Sequence, residues 1–408
     1  MKTVGIVVEY NPFHNGHAYH LAQIKKQTGA ECLVAIMSGP FVQRGEPAIV
    51  NKWARTEMAL RGGIDLVIEL PFLYATQSAE WFAYGAVATL HATGVIDGLS
   101  FGMESEDPDW LMPLAEFLEQ EPPSFRQAIK EDLSCGLSYP AAFARALATL
   151  QDSSLKDMPA QERVKPNNIL ALHYCRALLR LHSSIKPLPV VRKGAEHHQQ
   201  DAGGGKIASA TSLRKILYHE HLEKVIPYVP QTTYEILKRE KTEGRFPVEL
   251  ESFFPYLLHQ LIAMEPSELE KIHEMKEGIH HLLGKIGVEA INYQQLIQQM
   301  GNKRYTHSRI RRLLLNVLMN VTRERVTRCN LNSPSYIRIL GFTEKGKKLL
   351  KTMRKTASLP LIHSIKKERN ILLNFDLQAS RLYGFAYPNL QHREKEMQRE
   401  FRQPPLQL

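Results

Sequence analysis

The sequence lacks the features that mark secreted, membrane-spanning and fibrous proteins. Only four of its 408 residues are cysteines, and no two of them form a Cys-x-x-Cys pair, so neither a disulfide framework nor a cysteine zinc site is indicated. The N-terminal apolar run from Val4 to Val8 stops at Glu9. It is too short for the core of a signal peptide and far short of the roughly 20 residues that span a bilayer. We therefore expect a cytoplasmic protein with no membrane partner.

Acidic residues are scarce in one C-terminal stretch. Between Lys303 and Lys355 there are fifteen lysines and arginines but only two acidic residues, Glu324 and Glu344. This stretch carries +13 of formal charge in a chain whose total is +10, so the remainder is slightly acidic. Solubility alone is served by surfaces of mixed sign, so the excess predicts a polyanionic partner such as a nucleic acid.

The first hundred residues alternate short apolar runs with helical patterns. The predicted strands are Thr3 to Glu9, Cys32 to Ser38, Asp65 to Pro71 and Gly98 to Gly102, and the helices between them run near 16–27, 52–61 and 78–91. Continuous apolar strands separated by helices are typical of a parallel sheet covered on both faces. We predict an α/β fold with a doubly wound, Rossmann-like sheet of the nucleotide-binding type.

The pattern changes after Gly102 and again after residue 220. Prolines divide 108–182 into successive helical segments, which predicts a helical insertion in the α/β domain. One more strand, Leu188 to Arg192, and a helix opening near Thr211 complete that domain, 1–220. Beyond Pro230 no strand alternation stands out, so residues 221–408 are predicted to form a mostly α-helical, basic domain.

The strongest chemical signal follows the first strand, in the segment Glu9 to His17. His14 and His17 are three apart at a helix start, so their rings can share a face, and Gly16 lets a ligand approach the backbone. A helix N-terminus attracts phosphate, and ligands of open α/β sheets bind beyond the carboxyl ends of the strands. The pattern predicts a site for a nucleotide α-phosphate. Two surface histidines on a capped helix are the alternative, and a zinc site that adds His20 lacks a further ligand at helical spacing.

A second element lies near residue 210. Three glycines at 203–205 lead to a helix start that contains Ser209, Thr211 and Ser212, followed by Arg214. Hydroxyls, backbone N–H groups and a guanidinium there can meet a leaving pyrophosphate. Serine and threonine are also ordinary N-caps, so this element alone leaves both interpretations open.

Together the two elements resemble the His-x-Gly-His nucleotidyltransferase superfamily, in which an Ile-Ser-Ser-Thr-x-x-Arg-like motif opens a late helix. The resemblance covers about the first 220 residues. In the late motif, Ala208 and Ala210 stand in place of the isoleucine and the second serine. The resemblance implies adenylyl transfer from ATP with release of pyrophosphate, usually helped by Mg2+, for which no ligand is assigned here.

Three segments make the resemblance more specific: Gly5 to His17, Met37 to Pro47 and Lys165 to Leu170. With the basic C-terminal half, they are similar to the bacterial tRNA(Met) cytidine acetate ligase family over essentially the whole chain. That resemblance implies activation of acetate with ATP to acetyl-adenylate, and acetylation of N4 of the wobble cytidine of elongator tRNA(Met). We infer no obligatory protein partner.

The resemblance also implies roles for individual residues. His14 and His17 form the catalytic pair that steadies the α-phosphate. The implied ATP contacts are Val7, Val8, Glu9, Tyr10, Asn11, Pro12, Phe13, His14, Asn15, Gly16, His17, His20, Gly102, Asn167, Arg192, Lys193, Ser209, Thr211 and Ser212. From the charge excess, the predicted tRNA contacts are Lys303, Arg304, Arg309, Arg311, Arg312, Lys347 and Lys348.

Two other functions fit the same residues. One is a small-molecule adenylyltransferase of cofactor biosynthesis with an unrelated basic tail. The other is a non-catalytic RNA-binding protein whose nucleotide site is regulatory. Pyrophosphate exchange with acetate, measured with and without tRNA, distinguishes all three.

Overall fold

A computed structural model of the chain describes residues 2–120, 122–148, 164–191, 206–365 and 370–408. Within them, eight strands form one sheet. The strands are β1 (Thr3–Val8), β2 (Cys32–Ser38), β3 (Leu66–Leu70), β4 (Gly98–Met103), β5 (Lys186–Val191), β6 (Ile337–Phe342), β7 (Leu361–Ile362) and β8 (Leu406–Gln407). Their order across the sheet is β5-β4-β1-β2-β3-β6-β7, with β8 paired to β6.

The strands β1 to β5 are parallel, as predicted. β1 pairs with β2 on one side and with β4 on the other, so the chain builds the sheet outward from β1 in two directions. Such a reversal of strand order leaves a crevice beyond the carboxyl ends of the two strands beside it. We call the side of the sheet with these carboxyl ends the carboxyl edge and the other side the amino edge.

Helices flank the sheet. They are α1 (Asn15–Thr28), α2 (Lys52–Arg61), α3 (Phe72–Ala75), α4 (Ala79–Ala92), α5 (Leu111–Glu119), α6 (Pro123–Ser134), α7 (Tyr139–Ala148), α8 (Pro166–Arg180), α9 (Ala210–His219), α10 (Gln231–Thr242), α11 (Phe254–Ala263), α12 (Pro266–Leu269), α13 (Ile279–Gly287), α14 (Tyr293–Met300), α15 (His307–Leu318), α16 (Arg323–Cys329), α17 (Glu344–Thr356), α18 (Ile371–Gly384) and α19 (Leu390–Arg402). Two 3-10 helices span Leu222–Tyr228 and Leu250–Phe253. Within the described ranges, no helix is both long enough and apolar enough to cross a membrane.

Each face of the sheet packs into its own apolar core. Along β2 all side chains are buried, and they alternate between the two cores because successive side chains of a strand point to opposite faces. Val34 and Ile36 join the core that contains α4, α5 and α8, whereas Leu33 and Ala35 join the core with α1, α2 and α9. This two-sided burial is why the strands read as continuous apolar runs in the sequence.

The second half of the chain also contributes to the sheet, which the sequence analysis did not predict. β6 pairs antiparallel with β3, and β7 and β8 pair with β6, so the expectation of no strand beyond Pro230 is wrong. The pattern was hidden because Arg338 interrupts the apolar run of β6, although only 3% of this residue is exposed. The rest of this half is mostly helical, as expected. A functional division at residue 220 stays a prediction, since one sheet takes strands from both sides of it.

A buried cluster of four charges accounts for the position of Arg338. Lys52 on α2 donates to Glu69 on β3 at 2.6 Å and to Glu400 on α19 at 3.0 Å. Arg338 on β6 pairs with the same two carboxylates, at 3.2 Å from Glu69. Burial alone would raise the pKa of Glu400, but Arg338 and Lys52 beside it lower that pKa to about 2. The cluster therefore joins elements from both halves of the chain through ionised groups.

We expect Glu400→Gln to lower the free energy of unfolding by about 3–5 kcal/mol, because it leaves two buried cations with one carboxylate. Urea unfolding near neutral pH measures this. Since the folded pKa of Glu400 lies near 2 and its ordinary value is 4.5, the contribution is present above about pH 4.5 and is lost as pH falls toward 2. The matched control is Glu324→Gln, whose carboxylate is 73% exposed and should change stability by less than about 0.5 kcal/mol. Equal unfolding midpoints for the two variants would contradict this role.

Candidate active site

A cavity of about 860 Å³ opens at the carboxyl ends of β1 and β4, at the reversal of strand order. This volume lies in the range of ligand pockets, about 300–1,000 Å³. Six segments line it: the end of β1, the start of α1, the end of β4, the start of α8, the end of β5 and the residues around the start of α9. The predicted ATP contacts among its lining residues are Val7, Val8, Glu9, Tyr10, Asn11, His14, Gly16, His17, His20, Gly102, Asn167 and Ser209.

The two histidines of the first motif form a stacked pair. Their ring centroids lie 3.7 Å apart with an interplanar angle of 24°. Nδ1 of His14 accepts the backbone N–H of Gly16 at 3.1 Å, and Nδ1 of His17 accepts the backbone N–H of His14 at 3.2 Å. Because each Nδ1 is an acceptor, the ring proton of the neutral imidazole lies on Nε2. The pair thus caps α1 and carries its ring protons on the Nε2 atoms.

Gly16 is required by the His14 ring. A Cβ at this position would lie 2.9 Å from Cε1 of His14, closer than side-chain carbons normally approach. From the sequence alone, this glycine is expected to let a ligand approach the backbone. The structure adds a local reason, since any larger residue would displace the capping ring and with it the stacked pair.

Other residues of the first motif support the cavity without lining it. Phe13 is fully buried, with its ring 5.6 Å from that of His17. The side-chain N–H groups of Asn15 donate to the carbonyls of Lys206 and Pro227, each at 3.1 Å. Among the described residues, the cavity lining also leaves out Pro12, Thr211 and Ser212. Arg192, Lys193 and the glycines at 203–205 lie outside the described residues.

The late motif reaches the first one through Arg214. Its Nη1 donates to the carbonyl of Asn11 at 3.1 Å, and its Nη2 donates to Oγ1 of Thr211 at 3.3 Å. Ser209 caps α9, since its Oγ accepts the backbone N–H of Ser212 at 3.1 Å. Two motifs about 200 positions apart therefore meet in one cavity, with Arg214 and Ser209 in its lining.

The opposite wall contains residues that the sequence analysis missed. Glu104 lies just beyond β4, and its carboxylate accepts the side-chain N–H of Asn167 at 2.6 Å and the backbone N–H of Asn167 at 3.2 Å. Lys165 and Tyr174 line the same wall. Glu104 could have been found by the rule that applied to the first motif, since it also follows the carboxyl end of a strand. Lys165 begins the segment Lys165 to Leu170, which contributes to the family resemblance, but the sequence does not indicate a role for its side chain.

The loop between β2 and α2 connects the cavity to α15. The backbone N–H of Gln43 donates to Oε1 of Glu9 at 2.9 Å. Gly45 has φ +76°, and a Cβ there would lie 2.6 Å from the backbone nitrogen of Arg312, so the two backbones are in direct contact. The carboxylate of Glu46 accepts from Arg311 at 3.0 Å. The carboxyl edge therefore includes the start of the basic stretch.

The residues predicted to contact tRNA lie in two separate places. Those in and before α15 lie at the carboxyl edge, where Arg311 is paired with Glu46 and Arg312 is about nine-tenths buried, 3.9 Å from Glu274. Lys303 and Arg304 are exposed, and the Arg309 guanidinium lies 4.4 Å from the Tyr305 ring centroid.

Lys347 and Lys348 are instead on α17, at the amino edge. Residues at the two ends of this helix bond to residues that precede strands, because Thr343 donates its N–H to the carbonyl of Asp65 and Thr356 donates its hydroxyl to that of Thr93. The structure thus brings twelve of the predicted ATP contacts together in one cavity and divides the predicted tRNA contacts between opposite edges.

The sheet, the capped histidine pair and the cavity define a nucleotidyltransferase of the His-x-Gly-His class. Consistent with this, residues 1–398 match the family model described as HIGH Nucleotidyl Transferase. Over 394 residues, 95% of this chain and 96% of the relative, the chain is 43% identical to a tRNA(Met) cytidine acetate ligase of Caldanaerobacter subterraneus subsp. tengcongensis. It is 40% identical to that of a Geobacillus species over the full length of both. The chain belongs to the tRNA(Met) cytidine acetate ligase family.

A solved structure agrees in fold over the same length. The crystal structure of Thermotoga maritima TmcAL bound with alpha-thio ATP superposes with a TM-score of 0.91, at 36% sequence identity and with 100% of both chains covered. The apo form of the same protein gives the same TM-score. The fold of this chain is therefore one that binds an ATP analogue in a relative.

Replacing His14 by Asn separates the two roles of its ring. An asparagine N-cap still accepts a backbone N–H of the first turn, but it has no group at the position of Nε2. We expect the melting temperature to stay near that of the wild type, while exchange of labelled pyrophosphate into ATP falls by about 10²–10³. Acetate, the acid in the relatives' name, is the substrate to use.

The matched control is His91→Asn, on the exposed part of α4, which should leave exchange unchanged. Wild-type exchange by His14→Asn would show that the histidine only caps the helix. That result would restore the alternative of two structural histidines.

Proposed function

We propose that this protein is an ATP-dependent tRNA(Met) cytidine acetate ligase that activates acetate as acetyl-adenylate. The observation that carries the proposal is the placement of the stacked His14–His17 pair in the cavity at the strand reversal. The full-length similarity to ligases of this name supports the substrate.

In the first half-reaction, an acetate oxygen attacks the α-phosphorus of ATP. A bond between acetate oxygen and phosphorus forms, the bond to the β-phosphate oxygen breaks, and pyrophosphate leaves. The Nε2–H groups of His14 and His17 donate to the α-phosphate oxygens, where negative charge develops in the transition state. Arg214 and the start of α9 neutralise the departing pyrophosphate.

In the second half-reaction, N4 of the wobble cytidine attacks the acetyl carbonyl carbon and AMP leaves. The amine of cytosine is a poor nucleophile, so the acetate must be activated and the base held in place. A base inside a stack cannot reach the cavity, so the cytidine must be turned out of the anticodon stack.

Magnesium fits this site through ATP. The ion commonly binds to phosphates and water with only one or two carboxylates, and the Glu104 carboxylate at the end of β4 lies in the cavity lining. In the described part of the chain there is no cluster of three or more His, Cys, Asp or Glu that could hold a metal alone. When bound, the ion would neutralise triphosphate charge.

The carboxyl edge suits the approach of tRNA better than the amino edge does. The wobble base must enter the cavity, and the cations in and before α15 lie on the same edge, joined to it through Gly45 and Glu46. Arg311 and Arg312 are engaged in ion pairs there, and Arg304 pairs with Glu277 at 2.7 Å. This leaves Lys303 and Arg309 as the principal phosphate contacts. Contact with Lys347 and Lys348 requires the tRNA to extend to the amino edge.

The decisive test incubates the protein with labelled acetate, ATP and tRNA(Met). We expect label in N4-acetylcytidine at the wobble position, with one AMP and one pyrophosphate for each acetyl group, and none from labelled acetyl-coenzyme A. A transcript with uridine in place of that cytidine is the control. Label from acetyl-coenzyme A alone would contradict the mechanism, and adenylyl transfer to a small molecule would favour the cofactor alternative.

The two groups of cations can be compared directly. We expect the double variant Lys303→Ala/Arg309→Ala to weaken tRNA binding and to lower the slope of log K against log salt by about 1 for each lost phosphate contact. Filter binding at several ionic strengths measures this. The comparison variant is Lys348→Ala/Lys351→Ala on exposed positions of α17. If only the α17 variant flattens the slope, tRNA binds at the amino edge and the assignment to the carboxyl edge is wrong.

A further inference from the structure

Glu9 is a carboxylate in a cavity that otherwise suits phosphate. A negative side chain repels a triphosphate, and the adenylation step, with His14, His17 and Arg214 on the phosphates, gives the charge of Glu9 no role. Nevertheless its position is fixed twice: its carbonyl accepts Nη1 of Arg55 at 2.8 Å and its Oε1 accepts the N–H of Gln43 at 2.9 Å. Arg55 thus holds the backbone of Glu9, and the Gln43 N–H holds its carboxylate, at the carboxyl end of β1.

The surroundings of Glu9 favour uptake of a proton. The cations that face it are Arg214 on α9, Arg55 on α2 and Arg44 in the loop after β2, and Tyr174 of α8 is also within electrostatic range. Burial raises the pKa of Glu9 above its ordinary value, although the Gln43 N–H and the three guanidinium groups oppose that change. Phosphates bound beside His14 and His17 add negative charge to the same cavity, which raises the pKa further.

Glu9 also lies on the side of the cavity toward α15. Its partner Gln43 belongs to the loop whose Gly45 and Glu46 contact that helix. Gln43 donates its side-chain N–H to the carbonyl of Gln77 at 2.7 Å. The Glu9 carboxylate therefore lies in the cavity and contacts the loop that leads to α15, on the side from which the nucleophile is proposed to enter.

We propose that the carboxylate of Glu9 accepts the proton that N4 of the wobble cytidine loses during acetyl transfer. This inference rests on the proposed function. The N4 nitrogen forms a bond to the acetyl carbon, and the bond from that carbon to the phosphate oxygen of the adenylate breaks. AMP leaves with the electron pair, and one hydrogen of the amine passes as a proton to a Glu9 oxygen and then to water.

Glu9→Gln tests the proposal with little change of shape. Glutamine keeps an Oε1 that accepts the Gln43 N–H, but the amide does not take up a proton near neutral pH. Each half-reaction is measured separately: acetate-dependent pyrophosphate exchange without tRNA, and single-turnover transfer from preformed acetyl-adenylate to tRNA. We expect transfer to fall by about 10²-fold or more relative to exchange in the same variant.

The pH dependence of the transfer rate distinguishes a Glu9 that accepts the proton from a Glu9 that only positions the substrate. In the wild type, transfer should slow as pH falls through the pKa of Glu9, because the protonated carboxyl cannot accept another proton. This acid limb should be absent from Glu9→Gln and present in Glu9→Asp, which keeps a carboxylate and also serves if the glutamine variant fails to fold. Glu106→Gln, exposed beyond β4, should match the wild type in both half-reactions.

Two results would overturn the inference. One is an equal loss of exchange and transfer in Glu9→Gln, which would make Glu9 part of ATP binding alone. The other is an unchanged acid limb in Glu9→Gln. Failure of the wild-type protein to exchange pyrophosphate with acetate would be a different result, since it would remove the proposed function itself.

Discussion

The carboxyl edge of the sheet depends on one fully buried guanidinium, that of Arg55. Its N–H groups donate to the carbonyls of Glu9 at 2.8 Å, Ser38 at 3.0 Å and Val50 at 3.2 Å, and also to that of Gly39. The carbonyls of Glu9 and Gly39 directly follow β1 and β2, that of Ser38 ends β2, and that of Val50 precedes α2. Buried polar groups of this kind are costly when they are left unpaired. Arg55 thereby fixes the directions in which the chain leaves both strands, toward the histidine motif and toward the loop that contacts α15.

The two edges of the sheet differ in chemical character. At the carboxyl edge, the first motif, the late motif and the start of α15 meet around one cavity through Arg214 and Gly45. At the amino edge, α17 presents a row of exposed lysines, but it is anchored to residues that precede strands. The charge excess between Lys303 and Lys355 includes cations from both surfaces. A count along the sequence does not show which edge of the folded protein each cation occupies.

The elements that could be predicted from the sequence are those whose runs of apolar residues are buried. β1 to β4 read as apolar runs because both of their faces are buried, and their boundaries agree with the prediction to within one or two residues. β6 was not predicted as a strand because it contains Arg338. This arginine is buried by pairing with Glu69 and Glu400, and no local sequence pattern shows that a charged residue has distant partners. The same distinction holds for the site. The histidine motif is a local pattern and was predicted, whereas the hydrogen bonds between Asn167 and Glu104 connect residues 63 positions apart and were not.

The contact of Gly45 with the backbone of Arg312 has a mechanical consequence. Acetyl-adenylate is a mixed anhydride that water destroys, so an enzyme benefits if the reactive face of the cavity changes shape only when its nucleophile has arrived. Because main chain touches main chain here, a displacement of α15 is passed to the loop that holds the Glu9 carboxylate without passing through a flexible side chain.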